Sequence, residues 1–154
     1  MIEPIMGFSA KVNAKLVLDR RRVVEKEGRF FLLNNDVRSI LRDDFFYAGA
    51  YLGKVKNGKF FPSFILLAKL AEGKTNKVIV NEKAGWLFVC GRDLLSEGIR
   101  DVQGSRRKGD FTLILNVFGE CLGFGRILHD LSSKEAGVAV QNVSDVGDFL
   151  RRER

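Results

Sequence analysis

Cys121-Leu122-Gly123-Phe124-Gly125-Arg126-Ile127-Leu128 is the segment from which the architecture is read. It is strand-like and mostly apolar, yet two glycines interrupt it. Glycine weakens a strand interior and marks a bend or a close backbone approach. Similar short runs surround it: Lys77-Val78-Ile79-Val80-Asn81, Trp86-Leu87-Phe88-Val89, Phe111 to Val117, and Val138 to Val143. Ile79, apolar between Val78 and Val80, fits a strand buried on both faces. Short strands separated by Gly109-Asp110 and Gly119 predict a small barrel rather than an open sheet. Gly119, Gly123 and Gly125 lack GxGxxG spacing, so they read as bends and not as a phosphate cradle. Gly91-Arg92-Asp93-Leu94-Leu95 reads as a single short helix. Ser144 is placed to cap a last one from Asp145 to Leu150.

The first half is mixed. Residues 1–20 are short, basic and strand-like, with Lys15-Leu16-Val17-Leu18-Asp19 the strand-like stretch within them. Arg22-Val23-Val24-Glu25 and Arg29-Phe30-Phe31-Leu32-Leu33 flank Lys26-Glu27-Gly28, which predicts a hairpin with Gly28 supplying the turn. Asn34, Asn35 and Asp36 offer N-caps for a short helix through Val37, Ile40 and Leu41. Tyr47 to Val55 is strand-like, and Asn57-Gly58 is the strongest hairpin signal in the chain. Ser63 caps a helix from Phe64 to Ala71 that ends at Gly73. The segment Glu72-Gly73-Lys74-Thr75-Asn76 marks a boundary. The fold class is therefore α+β, with an N-terminal mixed α/β domain at 1–75 and a C-terminal β pseudo-barrel at 76–154.

The chain of 154 residues carries 26 Lys/Arg and 19 Asp/Glu, a net charge of +7. Residues 1–76 hold 14 basic and 8 acidic side chains, and residues 77–154 hold 12 and 11. A basic excess points to a polyanionic partner, with nucleic acid first. A hydrophobic content of 45% excludes an intrinsically disordered chain. No apolar run approaches the roughly 20 residues of a membrane span, and Met1 to Ala10 has no secretory pattern. Two cysteines, Cys90 and Cys121, make no disulfide framework and fit a reducing, cytoplasmic setting. Both sit in apolar runs and read as inert core thiols. His129 is the one histidine, expected at the surface, so neither a metal site nor a Ser-His-Asp triad is anticipated. Asp43-Asp44 reads as a turn and not as an acid–base pair. Trp86 is expected to be buried, and most phenylalanines are expected in the core.

Four stretches together resemble the PUA domain, a small RNA-binding pseudo-barrel. They are Gly91 to Ile99, Lys108-Gly109-Asp110-Phe111, Leu122-Gly123-Phe124-Gly125, and Asp145-Val146-Gly147-Asp148-Phe149-Leu150-Arg151. Over roughly residues 28–153 the chain resembles the Nip-seven family of large-ribosomal-subunit biogenesis factors. Tyr51 to Phe60, the helix Phe64 to Ala71, and Lys77-Val78-Ile79-Val80 carry that wider likeness. Residues 1–20 depart from the family, whose members open with a longer acidic amphipathic helix. The compact length looks more archaeal than eukaryotic. In a eukaryote the family would place the protein in the nucleolus or nucleus.

The resemblance implies a non-catalytic, cofactor-free RNA-binding factor that engages precursor ribosomal RNA during large-subunit assembly. It also implies assembly-protein partners met through the N-terminal domain. The candidate RNA contacts are Arg92, Gly98, Arg100, Arg106, Arg107, Lys108, Arg151, Arg152 and Arg154. An arginine fork matches phosphate oxygens, so the terminal arginines suit a phosphate clamp. Composition alone favours a solvated, frayed end, and it is the resemblance that makes them part of the RNA surface. Arg106-Arg107-Lys108 reads either as a backbone clamp or as a solubilising loop. Gly98 admits a close ligand or ends a helix. Arg92 either meets RNA or pairs with Asp93 or Glu97. Two rival functions share the motifs. One is an RNA-modifying enzyme component, although residues 1–76 contain no His and no Cys. The other is a factor acting on tRNA or the small subunit.

Overall fold

Two hairpins with left-handed turn residues start the first sheet. Strands β1 (Val23–Lys26) and β2 (Arg29–Leu32) are joined by Glu27-Gly28, and β3 (Ala50–Lys56) and β4 (Lys59–Pro62) by Asn57-Gly58. All four turn residues have positive φ, between 51° and 75°, as a two-residue turn matched to strand twist requires. The strands form an antiparallel sheet in the order β1-β2-β3-β4. Helix α2 (Asn35–Ile40) lies between β2 and β3, capped by Asn34. Helix α3 (Phe64–Glu72) follows β4, with the Ser63 hydroxyl accepting from the Leu66 N–H. This computed structural model describes residues 1–152, without the side chains of Phe149 and Arg152.

The second sheet holds six strands: β5 (Lys77–Val80), β6 (Leu94–Leu95), β7 (Ile99–Gln103), β8 (Phe111–Leu115), β9 (Cys121–Ile127) and β10 (Val138–Asp145). Their order is β6-β10-β9-β8-β5-β7, with β5 and β8 parallel and the other pairs antiparallel. The two edge strands, β6 and β7, are joined by only a 3-10 turn, Ser96–Gly98. A sheet whose opposite edges are that close along the chain must curl on itself, and this makes the pseudo-barrel. Helix α4 (Glu82–Val89) packs across its mouth, and α5 (Val146–Arg152) continues from β10.

Strand β8 shows how the two halves meet. Leu113 and Leu115 join Ile5, Phe8, Leu52, Leu66, Leu70 and Phe124 in the largest core. Ile114 points the other way, into the barrel with Val78, Val80, Phe88, Leu94, Ile127 and Val140. Both faces of β8 are thus buried, which accounts for its unbroken apolar run. A third, small cluster of Phe31, Leu33 and Ala48 fills the outer side of the first sheet.

Several local expectations are corrected. Residues 3–11 form a helix, α1 (Glu3–Lys11), with proline in its first turn and Ile5 and Phe8 buried three residues apart. Lys15 to Asp19 makes no strand; its burial alternates, with Leu16 and Leu18 against the core, but it pairs with no ladder. Trp86 to Val89 belongs to α4 rather than to a strand, because the Asn81 side chain caps a helix by accepting from the Ala84 N–H at 2.8 Å. Gly91 to Leu95 is a turn leading into β6, not a helix. The last helix is capped by Asp145, whose carboxylate accepts the Asp148 N–H at 2.7 Å, and not by Ser144.

Candidate nucleic-acid interface

Helix α4 builds the centre of the site. Gly85 and Phe88 face inward and are buried, while Lys83, Trp86 and Cys90 lie on the opposite side and are exposed. Spacings of three and four residues put these three on one helical stripe. Trp86 is 65% exposed, against the expectation of burial. Its ring is carried outward because Ala84, Gly85 and Phe88 supply the contact with the barrel. The packing is close: a side chain at Gly98 would run into Ala84 Cβ. Gly98 is therefore buried as a packing residue, letting the 3-10 turn approach α4, and its carbonyl accepts the Asn81 N–H at 2.9 Å. It does not cap a helix over 91–95, since it closes the 3-10 turn Ser96–Gly98 instead.

The exit from α4 is held by Asn142 on β10. Its amide donates to the carbonyls of Phe88 at 2.9 Å and Arg92 at 3.3 Å, and to the Asp145 carboxylate at 3.1 Å. Its backbone N–H donates to Asp93 Oδ1 at 2.8 Å. Asp93 is thereby engaged, and no ion pair holds Arg92 among the described residues. The Arg92 guanidinium is exposed. Arg151 folds back from α5, donating to the Val89 carbonyl at 3.2 Å and to the buried Asp145 carboxylate at 3.4 Å. Its guanidinium lies against Gly91, so Arg151 and Arg92 are brought to the same end of α4. Half of the Arg151 side chain remains exposed. Arg151 is thus both a strut and a candidate contact. Arg154 and the Arg152 side chain lie outside the described residues.

The other predicted cations form a second group. Arg100 is exposed on edge strand β7. Arg106, Arg107 and Lys108 follow that strand in an exposed loop. Arg106 donates to the Val102 carbonyl at 3.2 Å, and Arg107 Nε lies 3.4 Å from Asp110 Oδ2. Asn76 anchors the loop by accepting the Ser105 N–H at 2.9 Å. This loop borders α1, with Lys11 and Asn13 across a polar cleft. The pattern of charges in the sequence does not single out Lys83, Trp86 or Asn142: the strand-like composition of 86–89 masks the helical spacing, and Asn142 reaches α4 only through the fold.

The remaining chemical groups have local roles. Cys90 is exposed, not buried in the core. Cys121 sits within β9, and burial pushes its thiol up to about 11, with the Gly123 backbone opposing this in part; the thiol donates weakly to the Gly123 carbonyl at 3.4 Å. His129 is largely covered, with its ring beside the Ser96 hydroxyl at 3.3 Å and the Asp130 carbonyl at 3.1 Å. It is not the freely exposed histidine expected. Among the described residues, no three His, Cys, Asp or Glu side chains gather to hold a metal ion. None of their helices is long and apolar enough to cross a membrane.

Residues 76–154 match the UPF0113 PUA domain family. A UPF0113 protein of Archaeoglobus fulgidus is 31% identical over 112 residues, covering 70% of this chain and 63% of its own length. The chain thus spans somewhat less than two thirds of that relative. Among solved structures, a PUA domain from Aeropyrum pernix K1 in complex with tartrate is 25% identical, covering 61% of this chain and 56% of that one, with a TM-score of 0.52. A conserved PUA domain protein from Thermoplasma acidophilum shares the fold at 24% identity, covering 85% of this chain and 79% of that one, with a TM-score of 0.60.

Proposed function

The chain belongs to the UPF0113 PUA domain family, and on that premise we propose that it is a non-catalytic RNA-binding factor acting through residues 76–154. The observation that carries this reading is the outer stripe of α4. Lys83 and Trp86 stand exposed one turn apart, and Arg92, held by no ion pair among the described residues, lies at the helix exit. An indole beside cations supplies what a single-stranded or looped RNA needs: a stacking surface for a base and charge for its phosphates. Arg151 adds the exposed edge of its guanidinium, and Arg100 with Arg106, Arg107 and Lys108 widens the cationic surface. Arg152 and Arg154 continue the basic run in sequence.

The resemblance to the Nip-seven family supports a finer reading. The RNA is a precursor of large-subunit ribosomal RNA, bound in the cytoplasm of a cell without a nucleus. Residues 1–75 form a second domain that meets other assembly proteins. The basic surplus of residues 1–76 also allows this half to contact RNA.

The test is a gel-shift or filter-binding titration of the full chain with single-stranded RNA at two salt concentrations. Each phosphate contact contributes about 0.7 to the slope of log affinity against log salt. The Trp86→Ala/Arg92→Ala variant is expected to bind more weakly and with a shallower slope. Unaltered binding by that variant would move the site elsewhere, and absence of any binding at low salt would defeat the RNA reading. Co-sedimentation of the chain with large-subunit precursors checks the ribosomal assignment. Exclusive association with small subunits or tRNA would overturn it.

A further inference from the structure

A groove runs between the N-terminal half and the barrel sheet, away from the α4 stripe. Lys11 on α1 and Lys59 and Phe61 on β4 line one wall, and Phe111 on β8 and Phe124 on β9 line the other. Phe61 is 40% exposed at the rim. The Phe111 and Phe124 rings lie with centroids 6.3 Å apart, and the Lys11 ammonium sits 5.9 Å from the Phe111 centroid. No carboxylate lines this groove among the described residues. At Lys11 and Phe111 it opens directly into the polar cleft beside Arg107. The acid in that cleft, Asp110, is already engaged by the Ser105 hydroxyl and Arg107.

Gly7 adds an independent observation. It sits in the middle of α1 and lines the groove. A glycine inside a helix is less favourable than alanine by about 1 kcal/mol. No packing demand compensates, because a Cβ there would meet nothing within 4 Å. The position faces open space, and a side chain at Gly7 would fill the groove.

We propose that this groove is a second binding track of the protein, taking a single-stranded RNA segment whose bases stack between the Phe61 and Phe111 walls and whose phosphates follow Lys59, Lys11 and Arg107. The proposal rests on the RNA-binding reading above and extends it to a surface made by both halves. The match is one of chemistry. Single-stranded nucleic acid alternates flat apolar bases with anionic phosphates, and the groove joins aromatic walls to Lys11 and Lys59 with no carboxylate in its lining among the described residues. A paired helix does not offer its base faces, so the track should favour single strands.

The deciding experiment follows a fluorescently labelled short oligouridylate by anisotropy as the full chain is added. Four variants are compared with the wild type: Gly7→Leu, Gly7→Ala, the pair Lys59→Ala/Phe61→Ala, and Trp86→Ala as the α4 reference. Circular dichroism confirms that each is folded. Gly7→Leu fills the groove, and Gly7→Ala removes the helix glycine while leaving most of the space open. Loss of one stacked base corresponds to a weakening of roughly tenfold. That loss is expected for Gly7→Leu and for the Lys59/Phe61 pair, with Gly7→Ala close to wild type. Duplex RNA of the same length should be indifferent to Gly7→Leu. Should Gly7→Leu prove unfolded, the Lys59/Phe61 pair decides alone, since Lys59 is exposed and Phe61 lies at the rim. Unchanged oligouridylate affinity in the folded groove variants, with loss in Trp86→Ala, overturns the track and leaves the α4 reading standing. An equal loss on duplex RNA also overturns it, because stacking would then not be the contact. No binding by the wild type removes the RNA reading itself.

Discussion

Arg151 Nη2 lies 3.4 Å from Asp145 Oδ1, and the carboxylate is only 4% exposed while half of the arginine side chain meets solvent. Asp145 is otherwise satisfied by the Asn142 amide and the Asp148 N–H. One arginine therefore joins the end of β10 to the end of α4, and still shows an edge outward. Arg151→Ala should lower stability by about 1 kcal/mol, a value reduced from that of a buried pair because the guanidinium is half solvated. The urea midpoint measures this. RNA affinity measured well below the transition should fall as well, and an unchanged affinity would make Arg151 a strut only.

Trp86 gives a different pattern, because its ring contributes little to the core. Trp86→Ala should change stability by no more than about 0.5 kcal/mol, as is usual for an exposed site. It should weaken single-stranded RNA binding by about 1–3 kcal/mol if one base stacks on the indole. Trp86 is the chain's one tryptophan, so its emission reports the site directly. Acrylamide should quench it readily in the free protein and less once RNA is bound. Poor quenching of the free protein would contradict the exposed placement.

Gly98 and Ala84 form a pair whose members should compensate. Gly98→Ala sets a methyl group against Ala84 Cβ and must push the 3-10 turn from α4, costing about 1–3 kcal/mol. Ala84→Gly costs about 1 kcal/mol of helix propensity. The double variant removes the collision, so its loss should be smaller than the sum of the two. A thermal-melt double-mutant cycle reads the coupling, and strict additivity would mean that the two positions do not touch.

The first sheet was legible because its turns are local. Asn57-Gly58 and Glu27-Gly28 specify hairpins within a few residues, and Asn34 and Ser63 cap their helices through side chains that a sequence displays. The second sheet was legible in class and less so in parts. Trp86-Leu87-Phe88-Val89 has the composition of a strand, and only the Asn81 cap and the inward placement of Ala84 and Phe88 make it a helix. Strand β6 has two residues, too few for any period, and its pairing with Val138 and Val140 is a tertiary event. Helix α1 is hidden for a related reason: its apolar positions Ile5, Phe8 and Val12 become a core face only through packing, while the alternation over Lys15 to Asp19 is the stronger local pattern. At the candidate site, the arginines could be named from charge. Which of them is a strut was set by Asp145 and Asn142, residues distant in sequence from α4.

The two thiols should separate by reactivity and by pH. Cys90 is exposed, whereas Cys121 lies in β9, where burial raises its thiol from the ordinary 9.0 to about 11. At pH 8, iodoacetamide should modify Cys90 in the native protein and spare Cys121, with both reacting in denaturant. The same shift links stability to pH. In the unfolded chain the Cys121 thiol loses its proton from about pH 9 upward, while in the folded chain it keeps it until about pH 11. The folded state then holds more protons, so stability is flat below pH 9 and falls as pH rises from 9 to 11. Two pH units correspond to about 2–3 kcal/mol at the upper end. Tyr51, whose phenol is also raised by burial, adds to the fall at the top of this range. The readout is therefore the difference between wild type and Cys121→Ala in urea unfolding at pH 8 and at pH 10.5. The stability gap between them should narrow at the higher pH, and a constant gap would mean that the thiol titrates alike in both states.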